Sequence, residues 1–215
     1  MSRERREFHR PYWPWGWTLN TRDLKIVAKC RVGGVMALCL LFCLLFCLGV
    51  RGQEAQQKEM GPVLKLTSSS FEADGDIPAK YSCDGANVSP ALASTDAPAA
   101  TRGFALIMDD PDTPKGAVTH WLIYDLPVGT RSLPEGVPTS KKLANGSMQG
   151  KNVRGKSGYT GPCPEKGGPA HHYFFKLYAL DAKTNLKPNA KKEELEAAMK
   201  GHILAKAELI GRFKH

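Results

Sequence analysis

The sequence after residue 52 lacks the long lysine and arginine runs that are typical of nucleic-acid-binding proteins. The chain has 215 residues and a formal charge of +9, but residues 1–52 hold nine basic residues against three acidic ones. The remaining 163 residues carry 21 basic and 18 acidic groups, a net charge of only +3. Because such a body has no basic stripe to meet a phosphate backbone, no nucleic-acid partner is expected.

The chain also lacks the short motifs of several large enzyme classes. It contains no GxSxG nucleophile elbow, no HExxH zinc motif, no P-loop and no GxGxxG dinucleotide fingerprint. These absences favour a protein that is not an enzyme. No metal and no cofactor are expected.

Cysteines are scarce in the body of the protein. Four of the six lie between residues 30 and 47, which leaves Cys83 and Cys163. In an oxidising compartment this pair could form one disulfide, which would stabilise the fold by about 2–4 kcal/mol. The alternative is two separate buried thiols, since cysteine packs well as a small apolar residue. Zinc is the weakest interpretation, because neither cysteine has a second one at CxxC spacing.

One long apolar run dominates the N-terminal part. Residues 32–50 read VGGVMALCLLFCLLFCLGV without a charge, after a basic extension at residues 1–31. The run is longer than most signal-peptide cores and about as long as a membrane-spanning helix. Small residues at Val50 and Gly52 favour cleavage after residue 52, and a polar linker at residues 53–62 follows. We therefore expect residues 32–52 to be a signal peptide or a membrane anchor, with the body at residues 63–215 exported to the periplasm or secreted. Membrane contact is expected only through this segment.

The body is rich in predicted strands. Short apolar runs bounded by Pro, Gly, Asp and Asn lie at residues 63–66, 104–108, 118–126, 173–180 and 203–210. One helix is predicted at residues 190–202, with Asn189 as its cap. Residues 133–170 form a long turn-rich segment that we expect to carry a binding site or a folded surface loop. The pattern predicts a mainly β protein, either a sandwich or a barrel, with few helices.

Three clusters carry polar side chains that could act chemically. The first is DDPDTP at residues 109–114, where three acids repel one another unless donors or cations offset them. The second is THWLIY at residues 119–124. The third runs from GPCP at residues 161–164 to AHHY at residues 170–173. Because adjacent strand residues face opposite sides, His171 and His172 cannot both line one pocket, whereas His171 and Tyr173 share a face.

Together these clusters resemble the phosphatidylethanolamine-binding protein family, also called the Raf kinase inhibitor-like family, in its bacterial branch. The resemblance rests on YSCDGANVSPAL, DDPDTP, THWLIYDLP and GYTGPCPEKGGPAHHYFFKLYALD and covers about residues 63–213. It implies a β-sandwich with a large central antiparallel sheet, a smaller second sheet and a few peripheral helices. It also implies a small pocket for phosphate-like anions.

The motifs assign that pocket to seven residues, which are Asp110, Asp112, His120, Gly161, Pro162, His171 and Tyr173. Many relatives have an arginine at the position of His172. The resemblance therefore does not say whether this chain makes the ligand contact that such an arginine would make. We expect the acids to orient His120 and His171, and the backbone N–H groups of residues 159–161 to add donors. Tyr173 or Trp121 would form the wall.

The resemblance implies a binding protein without enzymatic activity that recognises phosphate or a phosphorylated group on a headgroup, a small molecule or a protein. Two alternatives stay open. One is a protein that inhibits or modulates an enzyme partner through its surface. The other is a hydrolase that uses the aspartate and histidine cluster.

Overall fold

The strands are built from the apolar runs of the sequence and the β-branched and aromatic residues within them. The computed structural model describes residues 63–114 and 116–215. Its nine strands are β1 (Lys65–Ser68), β2 (Gly75–Asp76), β3 (Leu92–Thr95), β4 (Gly103–Asp110), β5 (Val118–Pro127), β6 (Ser132–Leu133), β7 (Met148–Gln149), β8 (His171–Leu180) and β9 (Ile203–Phe213). The described residues also contain a short 3-10 turn at Ala79–Tyr81 and the helix α1 at Lys192–Met199.

The strands form two sheets. A three-stranded sheet has the order β1-β3-β6, and a six-stranded sheet has the order β2-β9-β8-β4-β5-β7. Neighbouring strands are antiparallel except for the pair β2 and β9, which is parallel. The mainly β fold with a large central sheet, a smaller sheet and little helix confirms the prediction.

Strand β4 lies at the centre of the large sheet, and all eight of its residues are buried. Its side chains alternate between two cores. Phe104, Leu106 and Met108 join residues of the small sheet in one core, whereas Ala105 and Ile107 pack with Leu195 and Met199 of α1 in the other. The large sheet is therefore covered on both faces.

The helix begins later than predicted. It starts after Lys191 and ends at Met199, and Asn189 is not its cap. Asn189 adopts a left-handed backbone conformation, with φ of 74°, and its side-chain oxygen accepts a hydrogen bond from the Ser157 hydroxyl. The Glu194 carboxylate instead accepts the Lys191 backbone N–H at 2.6 Å. Contacts with the distant segment around Ser157 thus override the local capping preference.

Part of the predicted organisation lies outside the described residues. The basic extension, the apolar segment at residues 32–52 and the linker at residues 53–62 all belong there. Within residues 63–114 and 116–215, no helix is long and apolar enough to cross a membrane.

Candidate functional site

One end of the large sheet holds a cavity of about 570 Å³. It lies where β4 ends at Asp110 and where β5 and β8 begin, and the turn-rich segment before β8 forms its outer wall. Its described lining includes five of the predicted site residues, which are Asp110, His120, Gly161, His171 and Tyr173. The long segment between β6 and β8 therefore does carry part of a cavity wall.

His171 faces the cavity because of strand alternation. His171 and Tyr173 are buried, and His172 between them is exposed. The Nδ1–H of His171 donates to Oδ2 of Asp110 at 2.8 Å, and Asp110 is itself only 2% exposed. A second oxygen of Asp110 accepts the Asp112 backbone N–H at 2.8 Å. The buried carboxylate therefore orients the His171 ring, as predicted.

His120 reaches the cavity through an irregularity in β5. In the pairing with β4, Met108 lies opposite Trp121 and Asp109 lies opposite Thr119, so His120 is the extra residue of a β-bulge. A bulge breaks the alternation of side chains. The His120 ring therefore meets the Tyr173 ring edge-on, with 5.2 Å between the two ring centroids. The next residue, Trp121, packs on the same side of the sheet, in the core that also contains Tyr173.

A backbone carbonyl rather than an acid orients His120. Its Nδ1–H donates to the Thr160 carbonyl at 2.9 Å. Burial lowers the pKa of His120 below its ordinary value. The Thr160 carbonyl, the Asp110 carboxylate and the Gly161 carbonyl favour the charged ring, but their combined effect is smaller than that of burial. The ring is therefore neutral at pH 7 and has its Nε2 lone pair available.

Tyr173 forms the aromatic wall, and Trp121 does not. Burial and the nearby Asp110 carboxylate hold the pKa of the Tyr173 hydroxyl well above its ordinary value, so the phenol keeps its proton. Trp121 is fully buried in the core, where its indole N–H donates to Gln149. The alternative with Trp121 as the wall was therefore wrong.

Asp112 and Pro162 lie beside the cavity but outside its described lining. The Asp112 carboxylate accepts both the backbone N–H and the Nδ1–H of His172, at 2.8 and 2.7 Å. Partial burial raises the pKa of Asp112, but the two bonds from His172 outweigh it and leave the pKa below the ordinary range. His172 thus holds the turn after β4 against β8.

The backbone donors predicted at residues 159–161 are largely used inside the protein. The Thr160 N–H donates to the His120 carbonyl at 3.0 Å, and the Gly161 N–H donates to the Asn87 side-chain oxygen at 2.7 Å. Asn87 has a positive φ of 54°, which asparagine tolerates better than most residues. These bonds fix the loop, so the N–H groups of Thr160 and Gly161 do not face a ligand.

A segment of residues 79–87 holds the cavity loop from behind. The Tyr159 hydroxyl donates to the Tyr81 carbonyl at 2.6 Å, and the Cys83 N–H donates to the Pro162 carbonyl at 3.0 Å. Cys83 and Cys163 form a disulfide, with 5.4 Å between their Cα atoms. The disulfide interpretation of the two body cysteines therefore agrees with the structure.

Nine of the fourteen described lining residues were not among the predicted ligand-binding residues, and Arg154 adds a charge that the prediction lacked. Arg154 and Val153 lie at the rim, in a tight turn where the Asn152 side-chain oxygen accepts the Arg154 N–H at 3.0 Å. Arg154 is exposed, and it is the residue with a permanent positive charge among the described lining residues. The signal in the sequence was weak, because Arg154 is one of several basic residues in a turn-rich segment that was expected to carry a binding site or a folded surface loop.

Comparison with known proteins decides the family. The phosphatidylethanolamine-binding protein family model matches residues 67–214. The chain belongs to the phosphatidylethanolamine-binding protein family. Among curated relatives, a UPF0098 protein of Methanothermobacter thermautotrophicus is 45% identical over 151 residues, which cover 70% of this chain and 99% of the relative. A UPF0098 protein of Aquifex aeolicus is 44% identical over 155 residues, 72% of this chain and 90% of the relative.

Solved structures agree with this assignment. A phosphatidylethanolamine-binding protein homologue from Chlamydia trachomatis is 37% identical with a TM-score of 0.66, and the match covers 72% of this chain and 99% of that chain. E. coli YbcL, described as a member of the mammalian family, is 28% identical with a TM-score of 0.66 over 71% of this chain and 98% of that chain. Family membership indicates ligand binding in general and does not name the ligand.

We predict that Gly161→Ala disturbs the cavity loop. An added Cβ would collide with the Tyr81 carbonyl oxygen and lie 2.8 Å from the Asn87 side-chain oxygen. Because backbone cannot move aside cheaply, the free energy of unfolding should fall by about 2 kcal/mol. Urea denaturation of the full-length protein in detergent measures this, and Gly129→Ala, which meets no atom within 4 Å, is the matched control. Equal stability of the two variants would contradict the packing described here.

Proposed function

We propose that this family member is an exported binding protein whose cavity recognises phosphate or a phosphorylated group. The convergence of His120 and His171 carries the proposal. Each ring uses Nδ1 for a bond to a buried protein oxygen, and within the described residues neither Nε2 has a protein hydrogen-bond partner. Two Nε2 atoms on fixed rings can then meet two oxygens of one phosphate group.

Two further lining groups fit this ligand class, whereas the exposed Glu165 carboxylate, which also lines the cavity, does not add to it. Arg154 at the rim can pair with an oxyanion, and the protonated Tyr173 hydroxyl is a neutral donor. Asp110 carries negative charge near the ligand, but it is paired with His171 and with a backbone N–H. The size of the cavity suits a headgroup, a small phosphorylated molecule or a phosphorylated side chain.

The same residues argue for binding without turnover. Hydrolysis through a covalent intermediate needs a nucleophile beside a base. Cys163 lines the cavity but is bonded to Cys83, and the Thr160 hydroxyl is buried without a hydrogen-bond partner in the described part of the chain. The Thr113 hydroxyl also lines the cavity but donates to the Gly116 carbonyl, and none of these side chains is hydrogen-bonded to a histidine in the described part of the chain. Phosphoethanolamine should therefore be recovered unchanged after incubation with the protein.

Two histidine substitutions test the binding proposal. We expect His120→Gln and His171→Gln to weaken the binding of inorganic phosphate by at least about tenfold, because each removes one Nε2 contact worth about 1.4 kcal/mol. Isothermal titration calorimetry of the full-length protein in detergent gives the affinities. Phosphoethanolamine and phosphoserine serve as further arms that separate headgroup-like from protein-like ligands.

His202→Gln is the matched control for this experiment. His202 makes the same kind of bond, from Nδ1 to the Asp181 carboxylate at 2.8 Å, but lies on the exposed surface after α1. It should bind phosphate as the wild type does. If the wild type binds none of the three ligands, or if all three variants bind equally, the proposed function is wrong.

The low pKa of His120 predicts a pH dependence. A fully ionised oxyanion accepts a bond from Nε2 only when the ring is protonated, and the free protein holds it neutral. Binding must then take up a proton, so affinity should fall as the pH is raised from mildly acidic to neutral, by at most about tenfold per pH unit. Sulfate is the probe, because it does not itself titrate in this range. His120→Gln should make the slope shallower, and a flat wild-type profile would contradict this role.

Export is supported by the disulfide and by the apolar segment. Disulfides persist in oxidising compartments, and residues 32–50 have the composition of a signal peptide or an anchor. We expect removal of residues 1–52 to leave a periplasmic or secreted protein that begins at Gln53. Mass spectrometry of the protein recovered from its native compartment measures this, and an intact N-terminus would favour a membrane-anchored form.

A further inference from the structure

A second cluster of polar side chains lies at the disulfide, where Cys163 also forms part of the cavity wall. The Sγ atoms of Cys83 and Cys163 and a ring nitrogen of the C-terminal His215 all lie within 4.8 Å of one another. Cys163 is exposed, and Cys83 and His215 are partly exposed, so solvent and small reagents reach the cluster. These three residues come from segments that are far apart in the sequence.

His215 is held in a fixed orientation by two oxygens. Its Nδ1 is hydrogen-bonded to the Pro164 carbonyl at 2.9 Å, and its Nε2 lies 2.8 Å from a carboxylate oxygen of Asp84. If a metal ion binds one ring nitrogen, the other nitrogen keeps its contact and the ring keeps its orientation. Such an outer hydrogen bond is typical of histidine ligands in metal sites.

We propose that reduction of the Cys83–Cys163 disulfide converts this cluster into a binding site for a divalent transition-metal ion of the zinc type, with Cys83, Cys163 and His215 as ligands. Two thiolates and one imidazole are the donors that zinc prefers, and three protein ligands leave a fourth position for water. Cys163 also lines the cavity, but the proposal uses neither of the histidines that face it, so it does not rest on anion binding there.

The reaction balances with a dithiol as reductant. The dithiol is oxidised to its own disulfide and passes two electrons and two protons to Cys83 and Cys163. The bond between their two sulfurs breaks, and both cysteines become thiols. Metal binding then releases the two thiol protons, together with a proton from the His215 nitrogen that binds the ion if that nitrogen carries one.

The fold keeps the ligands together after reduction. The segment of Cys83 and the loop of Cys163 stay joined by the bond from the Cys83 N–H to the Pro162 carbonyl and by that from the Gly161 N–H to Asn87. At the C-terminus, the His215 carbonyl accepts the Gly167 N–H at 3.2 Å. The Cα separation of 5.4 Å already brings both sulfurs to one place, and side-chain rotation can open the space that an ion needs between them.

Cobalt titration tests the proposal. The probe is Co²⁺, which replaces zinc in such sites and absorbs in the near ultraviolet when thiolates bind it. The protein is the full chain in detergent, with Cys30, Cys39, Cys43 and Cys47 changed to alanine so that only the two body thiols report. It is reduced with a phosphine, which supplies electrons but no thiol ligand. We expect a thiolate-to-cobalt band that saturates at one ion per chain in the reduced protein and is absent from the oxidised protein.

The His215→Ala variant shows whether the histidine is a ligand. Its cobalt affinity should be at least about tenfold weaker, whereas His202→Ala, which removes a surface histidine of a similar aspartate pair, should bind as the parent does. Asp84→Asn provides a second measurement that leaves all three ligands in place and should weaken binding less than His215→Ala. Absence of the band in the reduced protein, or equal affinity of the His215→Ala variant and the parent, would overturn the proposal.

Discussion

Two adjacent buried carboxylates at the end of β4 determine much of this structure. Asp109 and Asp110 are each 2% exposed, and as neighbours in a strand they face opposite sides of the sheet. A buried charge without a partner is strongly destabilising, so each needs compensation on its own side. Lys176 and Lys192 reach Asp109 at 3.3 and 2.7 Å, which ties α1 to the sheet. On the other side His171 meets Asp110 and becomes part of the cavity.

The cavity is preorganised by bonds that a ligand does not have to form. The Nδ1 atoms of His120 and His171 are bound to oxygens on buried elements, and the loop around Gly161 is pinned by Tyr81 and Asn87. Little conformational freedom is therefore left to lose when a ligand enters. The arrangement has an energetic cost, because burial disfavours a charged His120 ring, and in the proposed function the anionic ligand offsets that cost.

The sequence predicted the parts of the fold that depend on local alternation. The runs that became β4, β5, β8 and β9 were recognised because apolar residues recur within them and turn residues bound them. The same alternation placed His171 and Tyr173 on one face and His172 on the other, which the burial pattern of β8 confirms. The expectation that acids orient the two histidines agrees with the structure for His171, which meets Asp110, but not for His120, which meets the Thr160 carbonyl. The family motifs supplied the two-sheet architecture.

The remaining features depend on single irregularities and distant contacts, which periodicity does not contain. Strict alternation from Trp121 would place His120 on the opposite face of the sheet, and only the bulge against Met108 and Asp109 brings it to the cavity. Asn87 binds Gly161 across 74 residues, and His215 reaches Asp84 from the end of the chain. A bulge leaves one residue of the strand without a partner in the pairing of β5 with β4. Here the structure keeps that irregularity where it positions a histidine, which indicates that β5 is shaped by the cavity as well as by packing.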